Sequence, residues 1–555
     1  MIQHRSALHR TAPWRRVLAL AAVAGAAATA TAPTVTAHAA PAPAGGVSVY
    51  PGTSSAVHPE SSSSPRATSP TAATRQRGSL PTRSAHGSAA AARQAPPATA
   101  AAAAGAATLR HSFNGVSSLD SAQANFGAEF EPPDPGLCEG NGFVLEPVNS
   151  AYRVYTTGGR SLIGAYNIND IFNEGAAEFT SDPRCYYDAQ NQRWFVVILY
   201  LSGGGAGNSS RVDIAVSTTS DPTKAWTQYR IDTTNPRGNG CPCFGDQPLL
   251  GVDQYNLYIS TNEFSILGPQ FNGAQIYAVD KAGLLASTVA PVVHFANLTI
   301  GGTQAASVQP ATTNNEPVDA EYFLNSLDPT STSDNRVGVW AITDRNQAKE
   351  APVLSSTLIT SEAYAYPVRA AQKGATSTLD AGDDRMQQTQ YIGGAIWGEL
   401  DTALSVGGDT ATRDGAAWFK VKPTLNGDRI SGAAIAGQGY VAAKGDYLLY
   451  PALAADEAGN AAMVFTLTGA NHYPSAAYAL LGSGPVQVFG QPVIAAAGSG
   501  RYDPTARRWG DYSYALFDRQ SDSVWLVTEY VPPKSSQTTD GRRNWGTRVL
   551  EVALA

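Results

Sequence analysis

The side chains whose types and spacing could do chemistry are aspartates and arginines. Asp182, Asp246, Asp384 and Asp511 each open a β-prone segment, and Arg184, Arg385 and Arg508 lie one to three residues from three of them. Two carboxyl groups can cleave a glycosidic bond when one donates a proton and the other stabilises the positive charge that develops. Arginines beside them add planar forks suited to an anionic group. Asp246, Asp384 and Asp511 are therefore candidate catalytic acids, and Asp182, Arg184, Asp384, Arg385 and Arg508 candidate binding residues. A plainer reading stands beside this one, in which the aspartates cap strand-starting turns and the arginines neutralise them. The densest acidic run is Asp380, Asp383 and Asp384 in Leu379-Asp380-Ala381-Gly382-Asp383-Asp384-Arg385. Oxygen ligands around a glycine turn could hold Ca²⁺, but EF-hand spacing is absent and a solvated loop is the simpler expectation. No cofactor and no metal are expected.

Other chemistries lack their parts. Only His111, His294 and His472 lie beyond the first 107 residues, far apart in sequence, too few for a histidine-rich metal site. There is no H-E-x-x-H, and Gly159-Arg160-Ser161-Leu162-Ile163 lacks the second glycine of a nucleophile elbow. No phosphate-binding glycine loop occurs either. The four cysteines, Cys138, Cys185, Cys241 and Cys243, allow three disulfide connectivities. Cys138 and Cys185 follow Asp134 and Asp182 at nearly equal distances, so a bridge between adjacent innermost strands is reasonable. That would leave Cys241-Pro242-Cys243 to close on itself, and a cysteine-only metal site is the weaker competitor. Glu529-Tyr530 could imitate a tyrosine nucleophile and its base, but neighbours on a strand point to opposite faces.

These residues must be positioned by a repeating framework. The turn-and-strand pattern recurs at Asp134, Asp182, Asp246, Asp319, Asp384, Asp446 and Asp511, at intervals of 48, 64, 73, 65, 62 and 65 residues. Such spacing leaves room for four short strands per unit, the blade of a propeller. Composition agrees: 53 Gly, 35 Pro and 24 Tyr against 15% charged residues favour many turns and strands over helices. The expected fold is all-β, a seven-bladed β-propeller of four-stranded antiparallel blades over residues 108–555. Its aspartates would gather near one mouth of the central channel.

Ahead of it, Arg15-Arg16, the apolar run Val17–Ala24 and Ala37-His38-Ala39 have the layout of a signal peptide over residues 1–39. The arginine pair is compatible with twin-arginine export, although the general secretory route is the expectation. Residues 40–107, rich in Ala, Pro, Ser and Thr, read as a disordered linker or pro-segment. Residues 1–110 carry a net charge of +9 and the remainder −16. An acidic body repels phosphate backbones, which argues against nucleic acid, and no later apolar run could span a bilayer. A secreted, extracellular monomer is expected.

Thr219-Ser220-Asp221-Pro222-Thr223-Lys224-Ala225-Trp226 resembles the Asp-box, S/T-x-D-x-G-x-T-W, of sialidase-like propellers, with Thr223 in place of the Gly and Ala225 in place of the Thr. The resemblance implies a structural turn in which Asp221 satisfies backbone N–H groups while Trp226 packs between strands. Sialidases also carry an arginine triad and a tyrosine–glutamate pair. Tyr229-Arg230-Ile231-Asp232 is the one string like their arginine motif, but it follows the box and lacks the proline, so no catalytic residue is carried over. The export signal and repeat are also similar to secreted bacterial propellers of the dispase autolysis-inducing kind, which implies action on a protease. The leading functional expectation is a non-catalytic binding face for an extracellular protein, such as a protease, or for cell-wall glycan. The alternative is a sialidase-like glycoside hydrolase using carboxylates at the channel mouth.

Overall fold

The computed structural model describes residues 46–66, 95–98 and 108–554, apart from 129, 177, 203–208, 236–239, 269, 315, 328–332, 347–350, 483–486, 504–507 and 539–543. The expected signal peptide lies outside the described residues. The all-β class is observed, and the long meanders follow from the sequence pattern. A strand such as Arg193–Leu201 is apolar at nearly every position, which suits a strand buried on both faces rather than one with a solvent side.

Four-stranded antiparallel groups succeed one another along the chain. Group A runs from Cys138–Gly140 to Ser161–Asn167, group B from Phe179–Asp188 to Trp226–Asp232, and group C from Cys243–Val252 to Ala290–Phe295. Group D runs from Gln309–Thr312 to Val353–Ala365, group E from Met386–Ile392 to Arg429–Val441, and group F from Asp446–Ala455 to Val493–Ala496. Group G takes Tyr514–Asp518, Ser523–Tyr530 and Gly546–Ala553 from the end of the chain and Thr108–Ser117 from before group A. The first strands of the groups touch in the cyclic order A, B, C, D, E, F, G and back to A. Short parallel pairings, Val252↔Thr312 between C and D and Ala311↔Thr389 with Thr312↔Gln390 between D and E, join these first strands into one continuous sheet.

Side-chain alternation explains the order. Trp194, Val196 and Ile198 of group B pack with Leu145, Tyr152 and Val154 of group A. The intervening Phe195 and Val197 pack on the other face with Leu257 and Ile259 of group C. The same two-faced sharing links C to D through Tyr258 and Trp340, D to E through Tyr322 and Phe419, and E and F to G through Trp418, Phe465 and Leu550. It returns from G to A through Trp525, Val549, Val144 and Tyr155. No group can bury both faces without two neighbours.

Four short strands precede Thr108–Ser117 in the described parts of residues 40–107. Ser48–Tyr50 pairs with the outer strand of group D, Gly52–Val57 with that of C and Ser61–Ser63 with that of B. Pro97–Ala98 pairs with Ala395–Val406 in group E. An outer strand offers unpaired N–H and C=O groups, so a polar Ser/Thr segment can dock by its backbone without an apolar face of its own. Tyr50 adds a ring contact with Trp340 at 5.3 Å.

Candidate functional site

The first strands of several groups share a local distortion. Asp134, Asp182, Gln247 and Tyr450 have left-handed backbones, with φ of 46°, 59°, 48° and 53°, and each precedes a proline. Ladder pairing skips across three of these points, between Ser181 and Arg184, Asp246 and Leu249, and Leu449 and Ala452. A bulge inserts an unpaired residue and re-aims its side chain, at a cost in backbone strain that the surrounding sheet must overcome. The recurring unit is therefore a left-handed residue followed by proline. Its position is Gln247 rather than Asp246 in group C, and Tyr450 rather than Asp446 in group F. Asp319 lies outside the first strand of group D, and the left-handed residue ahead of that strand is Ser307 (φ 45°), which is followed by Val308 rather than proline.

Carboxyl oxygens of Asp134, Asp182 and Asp511 lie within 4.8 Å of one another at this end of the first strands. Asp134 and Asp182 are buried, whereas the Asp511 side chain keeps 27% of its exposure and opens the cluster to solvent. Asn149 knits the group together: its Nδ2 donates to Asp134 at 2.7 Å and its Oδ1 accepts the Asp182 N–H at 2.7 Å. The Asp511 N–H donates to Asp134 at 2.8 Å. Burial, then the nearby Asp511 charge, pushes the Asp134 carboxyl up to about 7, against the pull of Arg508 and its hydrogen bonds. Burial holds Asp182 well above the carboxylate range, with Asp246, Asp134 and Asp511 acting in the same direction. Glu529, on the second strand of group G, is buried beside them with no side-chain hydrogen-bond partner, and burial raises it too. The cluster thus retains protons close to neutral pH. Three oxygens this close could also share one cation; Asp380, Asp383 and Asp384 form no such ligand group among the described residues.

Cations and tyrosines ring these acids. Arg508 pairs with Asp511. The Arg184 guanidinium lies over the Tyr512 ring at 3.3 Å, and its Nε and Nη2 are buried without hydrogen-bond partners. Arg385 forks onto both oxygens of Asp383, at 2.7 Å each, and reaches Gln247. Burial works against the Arg508 cation, and Asp511 and Asp134 more than offset it, so its pKa rises. The Tyr450 hydroxyl is buried without a partner, next to Gly382, where a Cβ would come within 2.9 Å of the ring.

Among the sequence candidates, the structure brings together Asp182, Asp511, Arg184 and Arg508. Asp246 acts on Asp182 and Arg385 through its charge. Asp384 is buried and adds, after burial and Asp334, to the raised pKa of Tyr364, and Asp383 is the residue that meets Arg385. Tyr450 and Tyr512 join the site without any expectation from the sequence; Asp134 is expected there only as a repeat aspartate near the channel mouth, and Glu529 only as half of a Glu529-Tyr530 pair. Glu529 and Tyr530 do face opposite ways: the Tyr530 hydroxyl donates to Asn114 Oδ1 at 2.6 Å.

Cys138 is joined to Cys185, with Cα atoms 5.7 Å apart, and Cys241 to Cys243. In the Asp-box-like turn, Asp221 Oδ1 accepts from the Thr223 N–H at 2.9 Å and hydroxyl at 2.6 Å, and the buried Trp226 donates to the Pro222 carbonyl at 3.2 Å. Arg230 sits on the outer strand, paired with Glu60 and Glu174.

No protein-family model matches the sequence, and no curated protein matches it. Among solved structures, an α-L-arabinofuranosidase from Fusarium graminearum in complex with an iminosugar inhibitor aligns over 80% of this chain and 98% of its own, at 9% identity and a TM-score of 0.33. The parainfluenza virus 5 hemagglutinin-neuraminidase ectodomain aligns over 68% and 82%, at 8% identity and a TM-score of 0.33. Drosophila Semaphorin 1b, extracellular domains 1–2, aligns over 83% and 88%, at 8% identity and a TM-score of 0.32. Likenesses this remote carry no information on activity.

Proposed function

We propose that the protein is an extracellular glycoside hydrolase built as a seven-bladed β-propeller, with Asp134 as proton donor and Asp511 as the opposing carboxylate. The observation that carries this reading is the approach of their carboxyl oxygens to within 4.8 Å, one group holding a proton up to about pH 7 and the other paired with Arg508. Carboxyl groups of a retaining glycosidase stand about 5–5.5 Å apart, so that one protonates the leaving oxygen while the other attacks or stabilises the anomeric carbon. Asp182 and Glu529 enclose the pair and keep the local field unfavourable to a second charge. The unpaired Nε and Nη2 of Arg184 form a fork suited to a carboxylate, which directs the reading toward acidic sugars such as sialosides and uronides. The cyclic contact of the first strands supports the blade count, and two disulfides support an oxidising, extracellular setting. No helix among the described residues is long and apolar enough to cross a membrane.

The test is a screen of the purified protein on aryl sialosides, uronides and arabinosides between pH 4 and 8. Release of the aryl group, with retention of anomeric configuration, is expected for at least one acidic glycoside. Binding of such a glycoside without any release would replace this reading with the non-catalytic binding face.

A further inference from the structure

The opposite ends of the first strands hold a separate cavity. It measures about 330 Å³ and lies where the first strands of groups A, B, D and G finish, away from the bulges that gather Asp134, Asp182 and Asp511. One wall is apolar, built from Leu137, Tyr187, Leu516 and Phe517. Tyr187 is fixed there: its ring packs on Trp194 in a tilted contact with centroids 4.5 Å apart, and it lies so close over Gly140 that a Cβ would come within 1.8 Å of it.

Two polar groups in the lining lack partners among the described residues. Glu139 Oε2 and Asn314 Nδ2 are buried without a hydrogen bond, one an acceptor and the other a donor. Leaving such groups unmade carries a desolvation cost, larger for a charged one, so a ligand that satisfies both gains by it. The charge around them is one-sided. Asp518 and Glu551 both act on Glu139. The one arginine of the lining, Arg519, is already held by Glu316 and, at 2.9 Å, by Glu457. Asp518 is likewise occupied, accepting the Gln520 and Ser521 N–H groups at 3.0 Å and 2.9 Å. Glu139 is left as the acceptor without a cation.

We propose that this cavity binds a small organic cation, with an ammonium group on Glu139, a hydrogen-bond acceptor on Asn314 Nδ2 and a short aliphatic stem along Tyr187 and Phe517. A neutral polyol could satisfy the same two groups, but it would not offset the charge of Asp518 beside Glu139, which has no ion pair among the described residues, whereas Glu551 is already paired with Arg110. The site is independent of the acid cluster and does not require the chain to be an enzyme. Burial, with Asp518 and Glu551 adding to it, pushes Glu139 up to about 8. Binding of an ammonium group at pH 7 should therefore release a proton.

The probe is 4-aminobutan-1-ol, compared with the neutral 1,4-butanediol, on the intact protein. Saturation-transfer NMR should show contact for the amine and at least tenfold weaker contact for the diol. Calorimetry in two buffers of different ionisation enthalpy should show proton release with the amine. Glu139→Gln should weaken amine binding at least tenfold and abolish the proton release, with an unchanged melting curve. Equal binding of amine and diol, no binding of either, or full binding by Glu139→Gln would overturn the assignment. Should Glu139→Gln fold poorly, Asn314→Ala supplies the second variant, expected to weaken the aminoalcohol more than n-butylamine, which has no acceptor.

Discussion

Asp511 donates its backbone N–H to the carboxylate of Asp134 at 2.8 Å, across 377 residues of sequence. The bond spans the junction where the last group meets the first, so the geometry of the proposed acid depends on closure of the ring. It also places the two carboxyls in electrical contact, and the charge on Asp511 contributes to the raised pKa of Asp134.

The first prediction concerns that pair. Asp134→Asn keeps an acceptor for the Asp511 N–H but has no carboxyl proton to give. We expect kcat on a responsive aryl glycoside to fall about 10²–10⁴-fold, the usual worth of a positioned acid, with the melting temperature nearly unchanged. In the parent protein the rate should decline above about pH 7 as Asp134 loses its proton. Full activity in Asp134→Asn would remove it from the mechanism. Asp511→Ala should abolish turnover and also lower stability, because the buried Arg508 would lose the carboxylate it is ion-paired with.

A second prediction tests closure itself. Gly546–Ala553 lies between Ser523–Tyr530 and Thr108–Ser117, and buries Val549 on one face with Leu550 and Val552 on the other. Burial of each such side chain is worth about 1.5–3 kcal/mol. Three of them represent a large part of the roughly 5–15 kcal/mol that holds a typical protein folded. Truncation after Trp545 should therefore lower the whole melting transition cooperatively, or yield no folded protein. A truncated chain that melts like the parent in scanning calorimetry would contradict the closed ring.

Much of this framework is legible from the spacing of turns and the apolar strands, because each group must be buried on both faces and so leaves a strong hydrophobic signature. The register of the bulges is not. An aspartate every 64 residues or so is the visible mark, but the structural mark is the residue before proline: Asp134-Pro135, Asp182-Pro183, Gln247-Pro248 and Tyr450-Pro451. Choosing the aspartate therefore placed group C one residue early and group F four residues early. Glu146, Glu263, Glu321, Glu399 and Glu529 are harder still to find, each a single buried glutamate inside a second strand. A lone carboxyl in an apolar strand resembles a surface position until the neighbouring sheet covers it. Gly510, whose absent side chain leaves room for Glu529, is the kind of local signal that could have located one.

A third prediction follows from the first disulfide. Cys138 and Cys185 close a segment with a sequence separation of 47 and tie the first strands of groups A and B. A loop of that size should contribute about 2–4 kcal/mol, largely by restricting the unfolded chain. The Cys138→Ala/Cys185→Ala double variant should melt several degrees lower yet keep its far-ultraviolet circular dichroism. The Cys241–Cys243 pair has a sequence separation of only 2, so its loss should cost much less. Non-reducing peptide mapping that links Cys138 to Cys241 or Cys243 would refute the pairing.

The last prediction concerns stability against pH. Burial, then Asp518 and Glu551, raises Glu139 to about 8; burial also raises Glu263 to about 8, with the Thr261 hydrogen bond opposing it; Asp134 stands at about 7. In the unfolded chain all three would ionise near pH 4. For such groups the folded state binds the extra protons. Their stabilisation is complete below about pH 4 and is lost as pH rises through the folded pKa values, at up to about 1.4 kcal/mol per pH unit for each group. His294 has the opposite sign: burial lowers it to about 4, so its contribution is present above about pH 6.5 and is lost as pH falls toward 4. The carboxyl effect is therefore best read between pH 6.5 and 8, where His294 is neutral in the folded state and becomes neutral in the unfolded chain as well. Melting temperature should fall across that window, and Glu263→Gln should flatten the decline by about one proton's worth, since an amide keeps the packing and has nothing to ionise. A melting temperature that is constant or rises from pH 6.5 to 8 would show that these carboxyls are solvated rather than buried.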